Sequence, residues 1–197
     1  MKSKRVKGVL FLSAIVVLSV FCFIWTAHSW GGEKDDILIQ NSLQKVRPLT
    51  SELLRLANDV RIAAPQAKSE VVNQLTFVAQ KRNQALLNVI KKHPEVILDV
   101  ALPSGILESL PSDIQKYLEE EVTLEGEVEI WHFDNFDKQT SWEDYLLITT
   151  DKKRYSLNFA GERPNILSHY RIKIHGVRVN EHIALKPKFL QSKKISP

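Results

Sequence analysis

Val122-Thr123-Leu124-Glu125-Gly126-Glu127-Val128-Glu129-Ile130 alternates two classes of residue without a break. Apolar or small residues hold every even position, and Thr or Glu every odd one. A period of two over nine residues marks a half-buried β-strand, with one face on a core and the other in water. The strand also divides the chain. Between the N-terminal apolar segment and Val122 the sequence reads as helices; beyond Ile130 it reads as short strands and turns.

Downstream, Trp131-His132-Phe133-Asp134-Asn135-Phe136-Asp137-Lys138 mixes turn formers with aromatics and reads as a loop. Trp142 to Thr150 is expected to form a second strand, and Asp151-Lys152 turns it into a third, where Tyr155, Leu157 and Phe159 alternate with Ser156 and Asn158. After a loop from Ala160 to Asn165, Tyr170, Ile172 and Ile174 alternate with Arg171, Lys173 and His175. Gly176 throws Val177 and Val179 out of step, as a β-bulge would. Asn180-Glu181 turns into a last strand, His182 to Leu185. Five short strands, with glycines in the first and fourth where a small barrel bends, predict an OB-like β-barrel over residues 121–185. The lysine-bearing tail, 186–197, is expected to be a disordered end or to make a weak contact with anionic lipid or envelope polymer.

Residues 49–120 carry helical spacing. Thr50 or Ser51 can cap a helix striped by Leu53, Leu54, Leu56, Ala57, Val60 and Ile62. A second helix runs from Pro65 to about Lys92, and His93-Pro94 ends it, because the residue before proline is pushed out of the α region. A short helix follows from Pro94 to Leu102, and Pro103-Ser104-Gly105 and Leu110-Pro111-Ser112 punctuate two more, the last from Asp113 to Glu120. Lys81-Arg82, Lys91-Lys92 and Arg55 read as the wet faces of these helices, paired with acids such as Glu52, Asp59 and Asp99. Residues 33–48 are polar and read as a tether or weak helix. The fold class is therefore α+β, a bundle of short helices leading into a barrel.

Gly8 to Gly32 is 25 residues without a charge, preceded by Lys2, Lys4, Arg5 and Lys7 and followed by Glu33, Lys34, Asp35 and Asp36. That asymmetry predicts a cytoplasmic N-terminus and an exported body. The stretch is long enough to span a bilayer, so residues 1–32 are read as a signal anchor contacting the membrane through residues 8–30. Ala27-His28-Ser29 offers the alternative of a signal peptide cleaved near Ser29.

The net charge of +4 resides in those four N-terminal bases, and the chain beyond residue 29 is neutral. Residues 121–185 hold 11 acids against 8 bases, which argues against a nucleic-acid face. Cys22, the only cysteine, excludes an intramolecular disulfide, a CxxC pair and a cysteine metal cage. HExxH, GxSxG, GxxxxGK[ST] and GxGxxG are absent, so no catalytic residue or cofactor is assigned. Two weaker constellations stand out. His132, Asp134 and Asp137 offer nitrogen and oxygen ligands to a divalent ion, and a metal-dependent hydrolase would use them. Trp131, Trp142, Tyr155 and Phe159 offer an OB-type stacking platform for glycans or bases. His169, His175 and His182 sit on or beside neighbouring predicted strands, where solvated positions suffice to explain them.

The wording of Leu124-Glu125-Gly126-Glu127-Val128-Glu129-Ile130-Trp131-His132-Phe133-Asp134-Asn135-Phe136, with Arg154 to Glu162 and Tyr170 to Arg178, resembles an N-terminal module of exported bacterial proteins. Some of those carry gametolysin-type zinc metallopeptidase domains downstream. The resemblance covers residues 75–185, and its motifs are structural. It implies a propeptide-like, non-catalytic module that binds or regulates a protein partner at the cell envelope.

Overall fold

The computed structural model describes the backbone of residues 9–194 and the side chains of residues 36–192. The chain divides into two compact units, Met1–Asn41 and Ser42–Pro197. The expected span over residues 8–30 and the cleavage position near Ser29 involve side chains outside the described residues. Among the described residues no helix is long and apolar enough to cross a membrane.

Helix α1 (Val9–Ile62) continues through the stretch expected to be a tether, and Leu43 and Val46 are buried there. Pro48 lies inside it rather than before it. Proline removes one backbone donor, and apolar packing on both sides of it, at Val46 and Leu53, holds the helix regardless. Thr50 is accordingly no cap: its hydroxyl donates to the Val46 carbonyl at 3.1 Å. Helix α2 (Pro65–Ile90) starts with proline at its first turn, where the missing N–H costs nothing. Three short helices follow, α3 (Pro94–Val100), α4 (Ser104–Ser109) and α5 (Ser112–Gln115). α4 and α5 border an apolar cluster with α1 and α2 built on Leu53, Leu56, Leu75, Leu102, Ile114 and Leu118, while α3 packs on α2 and β5.

Six strands form one sheet: β1 (Glu120–Asn135), β2 (Thr140–Thr149), β3 (Arg154–Phe159), β4 (Tyr170–Val179), β5 (His182–Leu185) and β6 (Leu190–Lys194). Their order is β1-β2-β3-β5-β4-β6, and a further β1–β4 ladder joins the first strand to the fourth, so the sheet closes as a ring. All neighbours run antiparallel except β3 and β5. The even-numbered apolar residues of β1 point inward as their alternation requires. Val122 and Val128 join Leu147, Leu157, Ile172, Ile174 and Ile183 in the interior.

Three expectations are corrected. Leu190–Lys194 of the supposed disordered tail is β6, paired with β4 from Leu190 against Ile174 to Lys194 against Tyr170. Gly176 makes no bulge, because the β1–β4 register runs unbroken from Glu120/Arg178 to Glu127/Arg171. Its role is close approach: a Cβ there would lie 2.5 Å from the Ala184 carbonyl oxygen. Gly126 does the same for β1, where a Cβ would collide with the Ile148 carbonyl oxygen, at the two residues, Gly126 and Glu127, where β1 pairs with β2 and β4 together. Arg82, finally, is no wet-face cation. It is fully buried, with both Nη atoms on the Glu119 carboxylate (2.8 Å for Nη2 to Oε1). Arg82 Nη2 also donates to the Val100 carbonyl, and its Nε to the Thr50 hydroxyl. The Leu102 N–H donates to Glu119 Oε1. One charge pair therefore ties α1, α2, the end of α3 and the residue before β1, with its donors and acceptors engaged. A buried pair is tolerated on those terms.

Candidate functional site

β1 and β2 are longer than the ring needs. β4 covers β1 only as far as Glu127, and β3 covers β2 only at Tyr145 to Ile148. Between them, Trp131 to Asn135 pair with Thr140 to Asp144 as a two-stranded ribbon. The supposed 131–138 loop is therefore strand to Asn135, and the turn is confined to the residues around Phe136 to Gln139. Gln139 there has φ 50°, and the Lys138 N–H donates to the Asn135 side chain at 3.0 Å. The two ribbon edges carry unpaired backbone groups, which proteins usually cover or blunt.

The pleat sorts the ribbon's side chains. Odd positions of β1 and even positions of β2 face outward, so Glu127, Glu129, Trp131, Phe133, Trp142 and Asp144 share one surface. Phe133 stacks on Trp142 with centroids 5.3 Å apart and planes within 11°, and Trp131 tilts onto Phe133 at 6.3 Å. The Trp131 indole N–H donates to Glu129 at 3.3 Å. This stack is not buried: Trp131 and Trp142 are 46% and 45% exposed, and Phe136 at the turn is 87% exposed. Aromatic rings in contact with each other and with water are the usual content of a docking surface.

Of the four residues expected to make a stacking platform, Trp131 and Trp142 belong to this surface and are joined through Phe133. Tyr155 and Phe159 do not. Tyr155 is buried in the ring interior, and Phe159 packs edge-on to Tyr145 at 5.3 Å. Phe133 was legible as an odd-numbered continuation of the Val122–Ile130 alternation, but the turn formers beside it hid the strand.

The inward face of the ribbon is polar. His132 Nε2 lies 3.1 Å from Glu143 Oε1, and the Tyr145 hydroxyl donates to Glu143 Oε2 at 2.8 Å. Burial, and then the Glu143 carboxylate, raise the Tyr145 pKa above its ordinary value. These side chains border a cleft of about 430 Å³ with Arg163, Asn165 and Ser168. His132, Asp134 and Asp137 do not converge. His132 engages Glu143, Asp134 follows on the same strand face, and Asp137 lies in the turn. Among the described residues no three His, Cys, Asp or Glu stand together as a metal cage.

The other histidines also separate. His169, with φ 66°, donates its backbone N–H to the Val128 carbonyl and sets Nδ1 2.7 Å from Glu127. His175 lies 3.0 Å from Glu121 and 3.1 Å from the Thr123 hydroxyl. His182 is half-buried on β5, and its Nδ1 is a buried atom with no hydrogen-bond partner among the described residues. Desolvation, reinforced by Lys91, lowers its pKa. A roomier cleft of about 660 Å³ separates α4 and α5 from the start of β1, bordered by Glu108, Lys116, Glu120 and Arg178. Its Arg178 is already engaged by Glu120. Compared with protein-family models, curated proteins and solved structures, the chain matches none.

Proposed function

We propose that this protein is a non-catalytic binding module of the cell envelope, tethered to the membrane by residues 8–30 with its body exported. In this reading the ring of strands is an OB-like barrel, supported by the order β1-β2-β3-β5-β4-β1 with its single parallel pair. The barrel and helices serve as a rigid base, and the β1–β2 ribbon is the arm that docks on a protein partner. A propeptide-like role, holding or regulating that partner, follows from the resemblance described above.

The observation that carries the reading is the Trp131–Phe133–Trp142 stack, left half-exposed on a ribbon whose edges are unpaired. Exposed aromatic side chains at such a density are costly in water and dominate binding energy when covered. The test replaces Phe136 by a photo-crosslinking amino acid and irradiates intact cells. A single protein species crosslinked at Phe136, and lost when Trp142→Ala is added, is the expected result. Crosslinks to lipid or glycan alone, or a pattern indifferent to Trp142, would overturn the reading. The orientation is checked separately with a reporter enzyme fused after Pro197, active only outside the cytoplasm.

A further inference from the structure

The ribbon's outer surface has a charge pattern as well as an aromatic one. Its members are Glu127, Glu129, Trp131, Phe133, Trp142 and Asp144, with no lysine or arginine among them. Glu127 is partnered by His169, whereas Asp144 makes no hydrogen bond or ion pair among the described residues and lies directly across from Trp131. Through residues 125–144 there are seven acids and a single lysine, Lys138. The rest of the outer β1 face behaves differently, because β4 supplies basic side chains to it: His175 to Glu121 and Arg171 to Glu125. Where β4 ends, its basic side chains end, and the acids and aromatic faces continue; Lys91, Lys92 and Arg163 border a cleft shared with Asp144 but make no ion pair with it among the described residues.

Resting on the docking-arm reading, we infer that the occupant of this surface is an extended polypeptide segment bearing lysine or arginine at alternate positions. Alternate side chains of an extended segment fall on one face, matching the two-residue repeat of the ribbon. Cations on that face lie over the Trp131 and Trp142 rings, which attract them, and beside Glu129 and Asp144. Such a segment gives the acids the partners that β4 provides lower down. It can also hydrogen-bond the unpaired edge of β1 or β2.

The experiment titrates the full 197-residue chain, kept in mild detergent, with two synthetic heptapeptides, Lys-Val-Lys-Val-Lys-Val-Lys and Glu-Val-Glu-Val-Glu-Val-Glu, by calorimetry. The lysine peptide is expected to bind, with affinity falling as salt rises. Trp142→Ala is expected to weaken it about tenfold or more, and Asp144→Asn a fewfold. Phe77→Ala, on an exposed face of α2, leaves it unchanged and controls for nonspecific adhesion. Equal binding of both peptides, no binding of the lysine peptide, or binding that ignores Trp142 overturns the inference. A protein crosslink at Phe136 combined with a failed titration would retire the cationic segment and keep the docking arm. Failure of both retires the arm itself.

Discussion

The two regions that flank the ring of strands solve opposite problems. Where the helices meet β1, a charge pair has been buried: Arg82 and Glu119 are out of water and satisfied by Thr50, Val100 and Leu102. At the far end of the same strand, apolar rings have been left in water, with Trp131, Trp142 and Phe136 exposed on an uncovered ribbon. Buried charge requires complete partnering and gives rigidity in return. Exposed aromatic surface contributes nothing to a folded monomer and becomes favourable only when something covers it. The contrast teaches that β1 is anchored at one end so that the other can be offered.

Substitutions can break that contrast, and the largest effect belongs at the anchored end. Glu119→Ala leaves the Arg82 guanidinium buried without its counter-charge and is expected to destabilise the protein by about 3–5 kcal/mol, read from urea unfolding. A loss below about 1 kcal/mol would mean that the junction is not sealed. Next come the close approaches. Gly126→Ala drives a methyl group into the Ile148 carbonyl, and a loss of about 1–3 kcal/mol is expected from the resulting backbone shift. Gly105→Ala, in open space on α4, is the control and should not destabilise.

The ribbon should behave in the reverse sense. Trp142→Ala is expected to change unfolding free energy by about 1 kcal/mol or less, since the ring is half-exposed and stacks on Phe133. It should nevertheless abolish crosslinking from Phe136. A stability loss as large as that of Glu119→Ala would place the stack among the structural cores instead.

The smallest effect concerns pH and His182, whose buried Nδ1 has no hydrogen-bond partner among the described residues. The burial of His182, and then Lys91 just after α2, disfavour its charged form, while Glu181 opposes them. The folded-state pKa therefore lies below the unfolded value of about 6.5. The unfolded chain binds the extra proton first, so stability contributed by neutral His182 is present above that value and is lost as pH falls through the interval down to the folded pKa. Unfolding curves at pH 7.5 and pH 5 should show a smaller acid loss for His182→Asn than for the unaltered chain. An identical loss would clear His182 of that role.

Much of this architecture was legible in the residues themselves. Alternation from Val122 to Ile130 marked the interior face of β1, because burial on one side of a pleat imposes a period of two. The turns at Asp151-Lys152 and Asn180-Glu181 were readable for a similar reason. Lys152 and Asn180 take positive φ there, at 64° and 54°. Proline marked the start of α2 and α3. The misplaced elements were those decided by distant partners. Leu190–Lys194 becomes a strand because β4 has a free edge for it. Trp131–Asn135 stays extended, despite its turn formers, because Thr140–Asp144 lies alongside.

The candidate surface followed the same division. Residue order alone placed Trp131 and Trp142 in the acid-rich second half of the chain and offered both to one stacking platform, since spacing and composition are local properties. The folded chain was needed to show that Trp131 and Trp142 meet through Phe133, that Tyr155 and Phe159 turn inward, and that Arg82 is buried on Glu119. Those outcomes depend on strand register and on contacts spanning tens of residues, which no local period encodes.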